Sequence, residues 1–308
     1  MDSDIFIIGD SHGNIEFLYH CAQLARQIGI TKAVQVGDFG IWPNAEDFLD
    51  KINNIFQKAN IHLYFIDGNH DWPDGYKYLQ ILDSGFGFVR PNISYIPRGH
   101  RWEWDGKHFG GLGGAFSVDW RQRTPGEDWW PGEEMPNNTD VEKLGTEKLD
   151  ILFTHDRPVS ASEPCAMSLA LSDQNKSDYV RSLIDLAIKN TKPEILIHGH
   201  HHWRNNEKIS WVNKELSDKT GNLEWYSTRI EAMGADITSI RDAIAVLNLE
   251  DLSLQDGNIL FENNILKKQN NKPNTIEKNL IKYYRINKTM LQKDSLNVVG
   301  IHQLYSPY

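Results

Sequence analysis

Five short runs are apolar at almost every position: Ile5-Phe6-Ile7-Ile8, Ala33-Val34-Gln35-Val36, Leu63-Tyr64-Phe65-Ile66, Ile151-Leu152-Phe153 and Ile195-Leu196-Ile197. Continuous rather than alternating apolar character predicts strands buried on both faces. Between the first two runs, Ile15, Leu18, Ala22, Ala25 and Ile28 recur at helical spacing behind Asn14, a residue suited to capping. Phe48, Ile52, Ile55 and Phe56 repeat the pattern over Ala45 to Ala59. Strand, helix, strand, helix, strand is the order of an α/β layered fold.

After Asp71 the sequence turns rich in Gly, Pro and Trp. Arg101 to Phe109 predicts a hairpin turning at Asp105-Gly106, the start of a second sheet. Residues 115–145, with Trp120, Trp129, Trp130, Pro125, Pro131 and Pro136, read as a long irregular loop, and such loops inside compact domains are usually functional. A helix is expected over Asp178 to Lys189, and further strands over Ile209 to Val212, Leu223 to Tyr226 and Ala243 to Leu249. Beyond Leu254 the chain becomes Asn- and Lys-rich, and Gln269 to Asn274 reads as a linker.

Composition adds little to that picture except at the end of the chain. With 40% hydrophobic and 24% charged residues the sequence is that of an ordinary globular protein. No apolar run approaches the roughly 18 to 20 residues needed to span a bilayer. Met1-Asp2-Ser3-Asp4 lacks the basic start of a secretory signal, so a cytoplasmic protein with no membrane contact is expected. Cys21 and Cys165 form no disulfide framework and no paired-cysteine zinc pattern, and read as buried thiols. The net charge of −10 hides an asymmetry: residues 261–308 carry +5 and residues 1–260 carry −15. The organisation expected is a catalytic domain over 1–254 and a basic C-terminal extension over 255–308. That extension, with Lys278, Lys282, Arg285 and Lys288 on an expected helix, is either a solvated segment or an attachment point for nucleic acid.

Each of the five strand-like runs is followed at once by metal-competent side chains: Asp10-Ser11-His12, Asp38, Asn69-His70-Asp71, His155-Asp156 and His200-His201-His202. Ligand sites in α/β sheets lie at the carboxyl ends of strands, so the recurrence gathers these clusters into one site. Carboxylates, an amide oxygen and imidazoles without thiolate suit Mn, Fe or Zn, and neither calcium nor a structural zinc clip. Seven donors exceed the needs of one four-coordinate ion and match two ions that share a carboxylate. A metal pair is the usual clamp for in-line displacement at phosphorus.

The ordered motifs Asp10-Ser11-His12, Gly37-Asp38-Phe39-Gly40, Gly68-Asn69-His70-Asp71, Thr154-His155-Asp156 and Gly199-His200-His201-His202 resemble those of the calcineurin-like metallophosphoesterase superfamily, over about residues 4 to 254. The resemblance implies two mixed β-sheets packed as a sandwich and flanked by helices, an α/β/β/α fold. It implies Asp10, His12 and His202 on one divalent metal, Asn69, His155 and His200 on a second, and Asp38 bridging them, with Mn the metal favoured and Fe or Zn as alternatives. It further implies His70 beside the leaving group as a catalytic residue, Asp71 as its partner, and a hydroxide between the metals as nucleophile. By strand alternation His198 is a packed residue and His201 a solvent-facing one; ligation by His198 and His200 is the competing register.

Protein phosphatases of this superfamily extend the second motif to supply a phosphate-gripping arginine, whereas this chain reads Gly37-Asp38-Phe39-Gly40-Ile41-Trp42-Pro43. The departure points toward a phosphodiesterase acting on a nucleotide or oligonucleotide, with a phosphomonoesterase or nucleoside polyphosphate hydrolase as the alternative and a catalytically dead scaffold disfavoured because none of the seven donors is missing. Arg121 and Arg123 are candidates to replace the lost arginine, and Trp129 and Trp130 either stack on a substrate base or pack the loop onto the body.

Overall fold

A computed structural model describes residues 4–163, 169–263 and 265–266. The alternating first segment forms as its pattern predicts: β1 (Asp4–Ile8), α1 (Ile15–Gln27), β2 (Lys32–Gln35), α2 (Glu46–Ala59) and β3 (His62–Phe65). Asn14 caps α1, its Oδ1 accepting from the Phe17 N–H at 3.1 Å. Then come α3 (Asp74–Lys77), β4 (Gly87–Arg90), β5 (Ile93–Tyr95), β6 (Arg101–Trp104), β7 (Lys107–Leu112), α4 (Asn138–Leu144), β8 (Ile151–Thr154), α5 (Leu171–Thr191) and β9 (Ile195–His198). The last described elements are β10 (Asn205–Val212), α6 (Lys214–Thr220), β11 (Trp225–Ala232), α7 (Ile240–Ala243), β12 (Ile244–Asn248), β13 (Leu254–Asp256) and α8 (Gly257–Glu262).

Two mixed sheets result, ordered β13-β12-β1-β2-β3-β5-β4 and β10-β11-β9-β8-β7-β6. In the first, β1, β2, β3 and β5 run parallel and β12 is antiparallel to β1. In the second, β7, β8, β9 and β11 are parallel neighbours. The sheets face each other through Ile5, Ile7, Val34, Val36 and Leu247 on one side and Trp102, Phe109, Ile151, Phe153, Ile195 and Ile197 on the other. The alternate residues Leu152 and Leu196 point the other way, onto Leu183, Ile184, Ala187 and Ile188 of α5. This explains why those strands are apolar throughout, since each buried side chain contributes about 1.5 to 3 kcal/mol on either face.

Three expectations change. The stretch 115–145 is not irregular throughout: it contains a 3₁₀ turn at Trp120–Gln122 and ends in α4, begun by a capping box in which Asn137 accepts from Thr139 and Asp140 while Asp140 accepts the Asn137 N–H. Helix α5 begins at Leu171 rather than Asp178, because its first two turns are polar and show no apolar period. The regular chain also continues past residue 254, β13 pairing with β12 and leading into α8. The linker at 269–274, the basic helix over 278–288 and Cys165 lie outside the described residues; Cys21 is a buried free thiol. Among the described residues no helix is long and apolar enough to cross a membrane.

Candidate active site

The carboxyl ends of β1, β2 and β3 in one sheet and of β8 and β9 in the other converge, and the seven donors expected from sequence come together there. Asp10, His12, Asp38 and His202 form one group, and Asp38, His155 and His200 a second; within each group the ligating atoms lie within 4.8 Å of one another. Asp38 belongs to both. Its Oδ2 lies 3.5 Å from His12 Nε2, and its Oδ1 3.4 Å from His155 Nε2. Asn69 Oδ1 is 3.1 Å from the same His155 nitrogen, which places the amide in the second group. His202 Nε2 lies 3.2 Å from Asp10 Oδ2.

The backbone is bent to present these side chains. His12, Asp38, His200 and His202 have φ of 42°, 54°, 65° and 51°, a left-handed conformation that costs about 1 to 3 kcal/mol in residues other than glycine and gathers at functional sites. Gly199 lets the two sheets meet, because a Cβ there would collide with Asp10 Oδ1.

Electrostatics favour cations. Burial opposes charge on His12, yet Asp236 and Asp38 outweigh it and hold the imidazole up at about 11. Burial likewise opposes charge on His155, and Asp38 raises it to about 10. Asp38 is fully buried; burial disfavours its charge, but His155 and His70 hold the carboxyl well below its usual range. Asp10 Oδ1 is buried with no hydrogen-bond partner, an orphan that costs free energy unless something positive meets it. A buried anionic cluster with imidazoles aimed inward and an orphaned carboxylate oxygen fits divalent cations.

Around the donors stand residues that aim them. His155 Nδ1 donates to the Val36 carbonyl at 2.8 Å, so Nε2 is the nitrogen turned to the site. Asp236, which the sequence reading missed, accepts from His12 Nδ1 and from Asn14 Nδ2, both at 2.8 Å. Its signal was present in part: Gly234-Ala235-Asp236 follows β11 much as the other clusters follow theirs. Asp236→Ala is expected to weaken cation binding by about 10- to 100-fold, measured by equilibrium dialysis against Mn²⁺. Unchanged affinity would remove Asp236 from this role.

Several of these residues have neighbours other than those expected. Asp71 is not the partner of His70: its carboxylate accepts backbone N–H bonds from Phe39, Gly40, Ile41 and Gly68 at 2.8 to 3.0 Å, clamping the turns that carry Asp38 and Asn69. Burial, followed by the nearby Asp38, pushes this carboxyl up to about 7. His70 meets Arg123 instead, whose Nη2 donates to His70 Nε2 at 2.6 Å and to Asp119 at 2.9 Å. Burial pushes His70 down to about 4, the Arg123 charge helping and Asp38 opposing. Arg121 stays apart, paired with Asp173 of α5 and lying over Trp120. Trp130 is 7% exposed, which favours packing for that ring, while the partly exposed Trp129 stacks on Trp120 with centroids 5.0 Å apart. His198 is buried and outside all three groups of possible ligands, the third being Asp156, His200 and His201, whereas His200 and His202 belong to them, which favours these two over the competing register. His201 does not face solvent, since its Nε2 donates to the buried Asp156 at 2.9 Å.

Trp42, also missed, is 37% exposed and donates from Nε1 to the His70 carbonyl at 3.1 Å.

A family model described as the calcineurin-like phosphoesterase superfamily domain matches residues 4–229. No curated protein matches the chain. Among solved structures, one superposes with a TM-score of 0.51 at 14% identity, over 83% of this chain and 98% of that one. A protein from Thermus thermophilus follows at 0.48 and 16% identity, over 84% and 100%. A dimetal phosphatase from Danio rerio gives 0.41 and 12% identity, over 80% and 93%. At such identities the likeness is one of fold.

Proposed function

Since the chain belongs to the calcineurin-like phosphoesterase superfamily, we propose that it is a two-cation phosphodiesterase acting on a nucleotide or oligonucleotide. The observation that carries the two-cation reading is Asp38, whose two oxygens face different histidines at 3.5 and 3.4 Å. Asp10, His12, Asp38 and His202 would hold one cation, and Asp38, Asn69, His155 and His200 the other. The nitrogen and oxygen donors, free of thiolate, suit Mn²⁺, with Fe and Zn as alternatives. When bound, such cations supply Lewis-acid activation of water and neutralise charge at phosphorus.

The remaining work falls to Arg123 and His70. A guanidinium matches phosphate oxygens in geometry and charge, and Arg123 stands against His70 in a chain whose second motif supplies no arginine. With Arg123 on the phosphate, His70 Nε2 would be freed from the guanidinium and could take a proton from solvent and pass it to the departing oxygen. A single guanidinium matches the single charge of a diester. The half-exposed Trp42 indole beside His70 is a flat surface on which a base could stack.

Rates on bis-p-nitrophenyl phosphate and p-nitrophenyl phosphate with Mn²⁺ test the reading, followed by cyclic, linear and dinucleotide substrates. The diester is expected to turn over faster. Equal rates or a monoester preference would move the assignment to a phosphomonoesterase, and cleavage confined to anhydrides would move it to a nucleoside polyphosphate hydrolase.

A further inference from the structure

An amide serves a cation through its oxygen and not through its NH₂, so the direction in which Asn69 points its amide decides whether it can be a ligand. Asn69 is 2% exposed, and its Nδ2 donates to Ser117 Oγ at 3.0 Å, leaving Oδ1 toward His155. Ser117 Oγ donates in turn to Glu134 Oε2 at 2.6 Å, within the range of a hydroxyl bound to an ionised carboxylate. The other Glu134 oxygen accepts the Ser117 N–H at 3.1 Å. Ser117 and Glu134 are both fully buried, so bulk water does not compete for these bonds.

The polarity of this chain is set from its far end. Burial pushes the Glu134 carboxyl up, while the bonds it accepts from the Ser117 hydroxyl and N–H pull it down; with both of its oxygens accepting from Ser117, at 2.6 and 3.1 Å, the Ser117 hydroxyl proton points to Glu134. The hydroxyl oxygen is left as an acceptor, and the end of the Asn69 amide that can meet it is the NH₂. We propose that Glu134, acting through Ser117, fixes the orientation of the Asn69 amide and thereby completes the second cation site. This rests on the two-cation reading above. Both are positioning residues supplied by the stretch between β7 and α4, which also carries Arg123, so one segment aims a ligand and presents the phosphate-binding arginine.

Glu134→Gln is a sharp test because it changes almost no volume. The Ser117 N–H would hold the glutamine carbonyl where Oε1 now sits, which places the glutamine NH₂ against Ser117 Oγ. The chain then reverses: the Ser117 hydroxyl donates to Asn69 Oδ1, and the Asn69 NH₂ turns toward His155 and the cation. With two equivalents of Mn²⁺, the wild-type protein is expected to show the electron paramagnetic resonance of an exchange-coupled pair. Glu134→Gln should show isolated and free Mn²⁺, with second-site affinity lower by about 10- to 100-fold and first-site affinity unchanged. Ser117→Ala, which removes the hydroxyl and alters no carboxylate, should read the same loss, while Ser117→Thr keeps the hydroxyl and should keep the coupled spectrum. A coupled spectrum and unchanged second-site affinity in both Glu134→Gln and Ser117→Ala would overturn the inference. Absence of coupling in the wild-type protein would overturn the two-cation reading, and the inference with it.

Discussion

Asp38→Asn is expected to remove most of the bound metal and to lower turnover on the order of a thousandfold, the rate equivalent of several kcal/mol of lost charge stabilisation. Asparagine has one side-chain oxygen where aspartate has two, so it can face His12 or His155 but not both, and it brings no negative charge to hold two cations. The fold should survive. Asparagine is among the residues best tolerated at the φ of 54° found here, and its carbonyl can still accept the His70 N–H that Asp38 Oδ1 now accepts at 2.8 Å. Metal content by mass spectrometry, kcat on a diester and far-ultraviolet circular dichroism separate these outcomes. Full metal content in a folded Asp38→Asn protein would end the bridging assignment.

The strand ends that deliver the donors were legible because each combines a continuous apolar run, a glycine in four of five cases, and a metal-competent side chain in the next few positions. That is a local pattern, and local patterns survive in sequence. What was not legible acts through another residue. Ser117 and Glu134 are buried polar groups with no strand end to announce them, and their role emerges only when Asn69 is brought alongside. Asp71 carries the opposite lesson: it sits inside a motif beside His70, yet its carboxylate binds the backbone of two turns, one of them about thirty residues away in sequence. The tryptophans of 115–145 were open between packing and stacking, and burial of Trp130 favours packing. The polar start of α5 was lost because Ser172 to Ser177 has no apolar period, although Asp173 there holds both Trp120 and Arg121.

His70→Ala should leave metal content unchanged, since His70 stands outside both donor groups, and should lower kcat about 10²- to 10⁴-fold on substrates with alkoxide leaving groups. On nitrophenyl esters the loss should be far smaller, because a nitrophenolate departs without a proton. The comparison distinguishes proton delivery from simple placement of the phosphate. Equal losses on both substrate types would assign His70 to placement alone, with Arg123 as its partner.

The donors run from residue 10 to residue 202 and hang from both sheets, so neither sheet alone carries a complete set. A complete donor set therefore exists only where the two layers are closed on each other. A ligand that recognises the closed form alone stabilises it by mass action. Cations held by these donors would act as a clasp across the sandwich, and chelation is then expected to loosen the seam between its halves as well as stop the chemistry.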